Sequence, residues 1–322
     1  MTKRRTSLKI LSLALLGAGT LAATPAMAAD KMRVGLAAVY PAFMVPFVAQ
    51  DLGYFKEKNL EVELTTYRGG GAVQEAMAAG ELDMLSNSPA GAALAIKKGV
   101  KQKIVALTGG LTPAGWYIVV PKDSPLKTLA DLKGKNIGVS AKASTTDFFA
   151  MWAAKKGGVT AQSIPLGGPG LVPALKAKQV DAAVLYPPLS YKMMIDGEYR
   201  SIGDLGAIMP PVLPDTWVAS DDLINKRPDV LNRFLQANMK AVAYMQANEK
   251  WTLDYMKKYF EEKDDRVVKQ IYDTFIKVLR TDGLVKPEWL KESFDLAALA
   301  GVTEVPPVNQ TFTGKFLPVK WK

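Results

Sequence analysis

Leu60, Val62 and Leu64 alternate with Glu61, Glu63 and Thr65, the period of two expected of a half-buried strand. Short apolar runs that read as strands recur at Met32 to Leu36, Leu82 to Leu85, Ile104 to Leu107, Trp116 to Val120, Ile137 to Val139, near Ile164, and at Ala182 to Leu185. Between them lie helical stretches: Phe43 towards Leu52, ended by Gly53; a helix ending at Ala79; Pro89 to Lys98, with proline in its first turn; Leu129 to Leu132; Thr146 to Lys156; Leu171 to Ala177; and Pro188 to Ile195. After Gly203 the texture changes. Met209-Pro210-Pro211-Val212-Leu213-Pro214 cannot be helix and reads as a connector. From Asp221 the chain is mostly helical, with an amphipathic helix from Pro228 to about Asn248 and further helices near Trp251 to Phe260, Asp264 to Leu279 and Pro287 to Leu299. The Tyr, Met and Trp residues of these late helices are assigned to core, and the proline-broken tail from Val305 to a packing strap.

The alternation of strand and helix predicts α/β sheets, and a repeat says how many. Gly69, Gly70, Ala76, Ala79, Asp83 and Pro89 reappear without a gap as Gly167, Gly168, Ala174, Ala177, Asp181 and Pro187, each 98 residues further on. In both copies a Gly-rich turn opens a short helix, a strand follows the Asp, and a proline starts the next element. A βα unit used twice predicts two similar α/β lobes with a cleft between them. Two crossovers join them, near Thr112 to Pro121 and near Met209 to Ala219. Lobe 1 is then discontinuous, residues 29–112 and 216–322, and lobe 2 spans 113–215.

Composition narrows the chemistry. Lys3, Arg4, Arg5 and Lys9 precede an uncharged run from Ile10 to Ala28 that ends in Ala26-Met27-Ala28, the pattern of a secretory signal peptide over residues 1–28. A general secretory signal and a twin-arginine signal both fit. Removing 28 residues from 322 leaves 294, enough for two cores. The leader's four cations take the net charge from +10 to +6, so much of the basicity belongs to the leader, and no arginine-rich run suggests nucleic acid. The sequence has no cysteine, which excludes disulfides, thiolate metal sites, thiol nucleophiles and lipoprotein anchoring. It has no histidine, which removes metal–histidine sites, Ser-His-Asp triads and histidine general bases.

In open α/β sheets ligands gather at the carboxyl ends of strands. The candidate loops contain Tyr40 and Phe43, Ser86-Asn87-Ser88, Gly109 and Gly110, Ser144-Thr145-Thr146-Asp147, and Tyr186, with Trp217 on the return crossover. The segment Ser140 to Asp147 follows a strand and opens a helix, whose first amides and positive dipole end favour an anion. Ser144, Thr145 and Thr146 add hydroxyls, and Lys142 could add charge. The same letters equally describe an ordinary N-cap, with Ser144 or Thr145 capping and Asp147 satisfying the first turn; alternatively Asp147 meets an amine. The cluster Ser86 to Ser88 before Pro89 carries the same two readings. The aromatics Tyr40, Phe43, Tyr186 and Trp217 could wall a pocket for a carbon skeleton or ring. Gly69-Gly70-Gly71 lacks the Lys-Ser/Thr of a P-loop and reads as a turn.

At these loops the chain resembles the periplasmic substrate-binding proteins of ABC importers for nitrate, sulfonates and taurine, whose relatives bind pyrimidine precursors. The resemblance rests on Asp51-Leu52-Gly53-Tyr54-Phe55 followed by Leu60-Glu61-Val62-Glu63-Leu64, on Ala79-Gly80-Glu81-Leu82-Asp83, on Leu129-Ala130-Asp131-Leu132-Lys133-Gly134-Lys135, on Ser144-Thr145, and on Pro228-Asp229-Val230 opening a long helix. It implies a type II binding-protein fold that delivers a small anion to an inner-membrane ABC permease, as a periplasmic monomer without metal, cofactor or catalytic residue. Ala143 stands where sulfonate-binding members usually carry glycine, which leaves the ligand open. Aromatic or pyrimidine-like compounds are the alternative ligands. An exported metal-free lyase and a sensory binding protein are the alternative functions; the lyase needs paired acids in the cleft, and the candidate loops offer only Asp147.

Overall fold

The computed structural model describes residues 28–299 and 304–321. The signal segment therefore lies outside the described residues except for its last position, Ala28. In chain order the elements are β1 (Asp30–Leu36), α1 (Pro41–Asp51), α2 (Tyr54–Glu57), β2 (Leu60–Thr66), α3 (Gly70–Ala78), β3 (Met84–Asn87), α4 (Pro89–Lys97), β4 (Gln102–Leu107) and β5 (Tyr117–Pro121). There follow β6 (Asn136–Val139), α5 (Thr145–Lys156), β7 (Gln162–Pro165), α6 (Leu171–Lys176), β8 (Ala182–Leu185), α7 (Leu189–Asp196), β9 (Tyr199–Asp204) and α8 (Leu205–Ile208). The chain ends with β10 (Thr216–Ser220), α9 (Asp221–Lys226), α10 (Pro228–Ala247), α11 (Glu249–Phe260), α12 (Asp265–Thr274), α13 (Pro287–Leu299) and α14 (Val308–Thr311).

Two five-stranded sheets form among the described residues, with strand orders β2-β1-β3-β10-β4 and β7-β6-β8-β5-β9. The orders are equivalent strand for strand. In the first sheet β1 is parallel to β2 and β3, while β10 runs antiparallel between β3 and β4. In the second, β6 is parallel to β7 and β8, while β5 runs antiparallel between β8 and β9. Each antiparallel strand is the first one the chain makes after crossing from the other sheet. Residues 108–116 and 209–215 are the two crossing segments.

The repeated aspartates explain why the duplication survives in the letters. Asp83 Oδ2 accepts from Arg33 N at 2.8 Å, and Asp181 Oδ2 accepts from Asn136 N at 2.9 Å. Both backbones reciprocate, Asp83 N to Arg33 O and Asp181 N to Asn136 O, each at 2.9 Å. The Asp thus fixes the register of a parallel pair at its first residue, where no turn does so.

Helices cover both faces of the first sheet. α10 buries Val230, Leu231, Phe234 and Leu235 at helical spacing, with Phe234 stacked on Phe55 and edge-on to Trp217. The late helices also reach the second lobe: α13 packs between α4 and α5, and Tyr191 on α7 is hydrogen-bonded to Thr274 on α12 at 2.8 Å. The tail covers the exposed edge of β4, where Thr313 N donates to Ile104 O at 3.0 Å and Lys103 Nζ to Gln310 O at 2.8 Å.

Two strands differ from the sequence expectation. The return crossover was expected to run to Ala219, yet Thr216–Ser220 is the strand β10, buried on both faces, where no alternation marks it. Tyr199–Asp204 forms β9, a half-buried edge strand. The expected helix at Leu129 to Leu132 is a single 3₁₀ turn held by a Thr128–Asp131 capping box.

Candidate ligand site

Between the lobes lies a cavity of about 30 Å3, measured for the centre of a water-sized sphere, which is room for roughly two waters. From the first lobe it is walled by Ala37, Ala38, Tyr40, Phe43, Gly70 and Asn87; from the second by Ser140, Ser144, Thr145, Thr146 and Tyr186; from the crossings by Trp116 and Asp215.

Seven residues singled out in the sequence come together here: Tyr40, Phe43, Asn87, Ser144, Thr145, Thr146 and Tyr186. Tyr40 ends the β1–α1 loop and is the hub of the aromatic wall. Its ring lies edge-on to Phe43, Trp116, Tyr186 and Phe275 at centroid distances of 5.2, 5.7, 5.9 and 5.4 Å. Trp116 Nε1 donates to the Tyr40 hydroxyl at 3.1 Å, which ties the first crossing to lobe 1. Burial pushes the Tyr40 and Tyr186 phenols up, and the Asp215 charge pushes both further.

At the start of α5, Ser144 is the N-cap, its Oγ accepting from Asp147 N. The Ser144 hydroxyl donates to Ala141 O at 2.7 Å and that of Thr145 to Pro214 O at 3.3 Å. Ser140, Ser144 and Thr146 form a triangle of hydroxyls with edges of 2.8 to 3.2 Å. Asn87 is held the same way: its Oδ1 accepts from Ser88 N at 2.8 Å and its Nδ2 donates to Gly70 O at 3.3 Å. A Cβ on Gly70 would stand 2.7 Å from Asn87 Oδ1, so glycine there is a packing requirement.

Seven residues singled out in the sequence do not line the cavity. Asp147 turns away, accepting from Ala143 N at 2.8 Å and from the Ser163 hydroxyl, as a first-turn residue should. Lys142 follows it, donating to Ser163 O at 2.7 Å, and brings no charge to the cleft. Ser88 caps α4 through Gly91 N at 3.1 Å. Ser86 is paired with Thr108 at 3.3 Å inside the first lobe. Gly109 lies against Phe275 and Ala42, and Gly110 against Thr112. Trp217 points into the lobe 1 core, against Phe234.

Sequence reasoning missed Ala37, Ala38, Gly70, Trp116, Ser140 and Asp215. Trp116 reads from the sequence as the first residue of a strand, and Ser140 opens the candidate segment Ser140 to Asp147, in which the hydroxyls of Ser144, Thr145 and Thr146 carry the expected chemistry. Asp215 is 4% exposed, and burial raises its carboxyl from 3.8 to about 7. It sits where Thr145 grips Pro214 O and where Leu213 N donates to Ser293 on α13 at 3.0 Å.

Two α/β lobes of matching topology with a cavity between them are the architecture of the two-lobe periplasmic binding proteins. The sequence profile of the NMT1/THI5 like family matches residues 40–250, and the chain belongs to that family. A binding protein of Brucella abortus (strain 2308) is 26% identical over 316 residues, covering 94% of this chain and 95% of its own. The taurine-binding periplasmic protein of Escherichia coli (strain K12) is 27% identical over 232 residues, 69% of each chain. Among solved structures, the alkanesulfonate-binding protein of Xanthomonas axonopodis pv. citri bound to MOPS superposes with a TM-score of 0.73 at 18% identity, over 90% of this chain and 96% of that one. Among the described residues no helix is long and apolar enough to cross a membrane.

Proposed function

We propose that this chain is the periplasmic solute-binding component of an ABC import system of the sulfonate and taurine type, a receptor that does no chemistry on its ligand. The observation that carries this reading is the cavity itself, lined by both lobes and both crossings, in a chain whose relatives include a taurine-binding periplasmic protein. Ligand enters when the lobes part and is gripped when they rotate together about residues 108–116 and 209–215.

An anionic head group is placed at the start of α5. The backbone amides there have no intrahelical acceptor, and the dipole end is positive. Tyr40, Phe43, Trp116 and Tyr186 pack against the body of the ligand. The lyase alternative needs paired acids in the cleft, and among the described residues Asp215 is the one acid on the wall.

The test is calorimetry and thermal shift with sulfonates, nitrate, carboxylates and pyrimidines, since a bound ligand raises stability by mass action. Combined Ser144→Ala and Thr145→Ala substitution removes the N-cap that holds the first turn of α5 and the tie from Thr145 to Pro214 O, and is expected to weaken an anionic ligand at least tenfold by displacing those amides. Unchanged affinity in that variant would remove the head group from α5. Small-angle scattering that shows no contraction with any bound compound would remove the clamp.

A further inference from the structure

The described residues include three buried acids: Asp147, Asp215 and Glu262. Two are matched. Asp147 accepts from Ala143 N and Ser163, and Glu262 accepts from Lys263 N and Asp264 N and lies 3.6 Å from Lys192. Asp215 has no hydrogen-bond or ion-pair partner among the described residues, yet it faces the cavity. A buried carboxylate without a partner is costly, and removing a partner from a buried pair costs as much as the pair itself is worth or more. Such a group persists where something outside the chain completes it.

The rest of the wall says what that something is. Tyr40, Trp116 and Tyr186 surround the same small space with ring centroids 5.1 to 5.9 Å apart, and aromatic rings attract cations. No Lys or Arg lines the cavity, and Lys142 is committed to Ser163. The Ser144 and Thr145 hydroxyl protons are committed to backbone carbonyls. A simple oxyanion placed here would meet an unneutralised carboxylate with no cation to offset it.

Resting on the receptor reading above, we propose that Asp215 and the rings of Tyr40, Trp116 and Tyr186 form a cation-accepting subsite, so that the ligand carries a positively charged nitrogen. An anionic group elsewhere on the same molecule is compatible with this and would reach the α5 amides. Nitrate and sulfonates without an amine are not ligands of this site.

Three probes of similar size separate the charges: taurine carries both, ethylammonium the cation alone, and ethanesulfonate the anion alone. Calorimetry at pH 8 is expected to show taurine and ethylammonium binding at least tenfold more tightly than ethanesulfonate. Asp215→Asn is expected to lose at least tenfold for the two amines and to bind ethanesulfonate no more weakly than the wild type does. Because the isosteric variant could be altered in other ways, the wild-type protein supplies a second measurement. The groups facing Asp215 are the phenols of Tyr40 and Tyr186, both neutral across this range, while Asp147 on the adjoining helix is turned towards Ser163. Affinity for the amines should therefore fall as pH drops through about 7, with proton release on binding, and both effects should vanish in the variant. Ethanesulfonate binding as tightly as taurine, or amine binding that ignores both pH and the substitution, would overturn the subsite and leave the receptor standing. Failure of both amines to bind overturns the subsite as well. If in addition no compound of any class binds, the receptor reading falls with it.

Discussion

At the scale of single residues, the ligand-free protein bears the cost of Asp215. Its folded value of about 7 lies above the 3.8 of an exposed aspartate, so between those values the folded state holds a proton that the unfolded state releases. The penalty is absent below about pH 4, grows as pH rises, and is complete above about 7, on the order of a few kcal/mol. Asp215→Asn should therefore raise the thermal midpoint of the ligand-free chain at pH 8 and leave it unchanged at pH 4; a lower midpoint at pH 8 would mean the carboxylate has a structural role. Gly115 on the first crossing offers a steric counterpart. It sits at φ +78°, and a Cβ there would stand 2.5 Å from Tyr191 Oη and 2.7 Å from Pro187. Gly115→Ala should cost about 2–4 kcal/mol, from the left-handed backbone and the overpacking together. Gly53 has φ +76° with nothing within 4 Å, so Gly53→Ala should cost only the first part, about 1–2 kcal/mol by urea unfolding. Residues such as Tyr40, Asn87 and Ser144 were legible because strand ends and helix starts announce them. Asp215 was not, because an aspartate in a proline-flanked connector looks solvated until α5, α13 and Tyr186 converge on it.

At the scale of elements, legibility followed burial pattern. β2 was plain because Leu60, Val62 and Leu64 face in while Glu61 and Glu63 face out. β10 was obscured because Thr216, Trp217, Val218 and Ala219 are all buried, between two strands and between helices on both faces. A strand with no polar face shows no period, and the prolines before it made a connector the simpler reading. β9 was obscured for the opposite reason, since a half-buried edge strand shows neither a run nor a clean alternation. The placement of Trp217 in β10 separates stability from binding. Trp217 is 2% exposed, its ring lies edge-on to Phe234, and it does not line the cavity. Trp217→Ala should cost about 3–5 kcal/mol of stability. At temperatures where the variant stays folded, its affinity for a bound probe should lie within about threefold of wild type. A loss of binding far beyond the loss of folded protein would put Trp217 back at the site.

At the scale of the whole molecule, the duplicated glycines acquire a role that a turn does not describe. Gly69-Gly70 and Gly167-Gly168, equivalent pairs in the two lobes, each lie against the other lobe: Gly168 N donates to Arg68 O at 3.1 Å, and a Cβ on Gly69 would stand 3.5 Å from Ser140 and Ala141. Beside them a Cβ on Gly71 would stand 3.3 Å from Ala141 Cβ and 3.8 Å from Lys142 O, both in the other lobe. Bare backbone on both sides lets the lobes approach until the cavity holds roughly two waters, while little side-chain contact resists reopening. A receptor that must release its ligand needs that balance, because a clamp stabilised heavily by such contacts would close without ligand. Gly71 has no left-handed backbone requirement, and leucine favours a helix start more than glycine does, so Gly71→Leu should leave the ligand-free protein as stable as before. Its side chain would occupy the space that Ala141 and Lys142 take up on closure. The variant should bind any wild-type ligand at least tenfold more weakly, and its radius of gyration under saturating ligand should stay near the ligand-free value. Wild-type affinity with full contraction would show that these glycines do not limit closure, and that the lobes settle on the aromatic wall around Tyr40 instead.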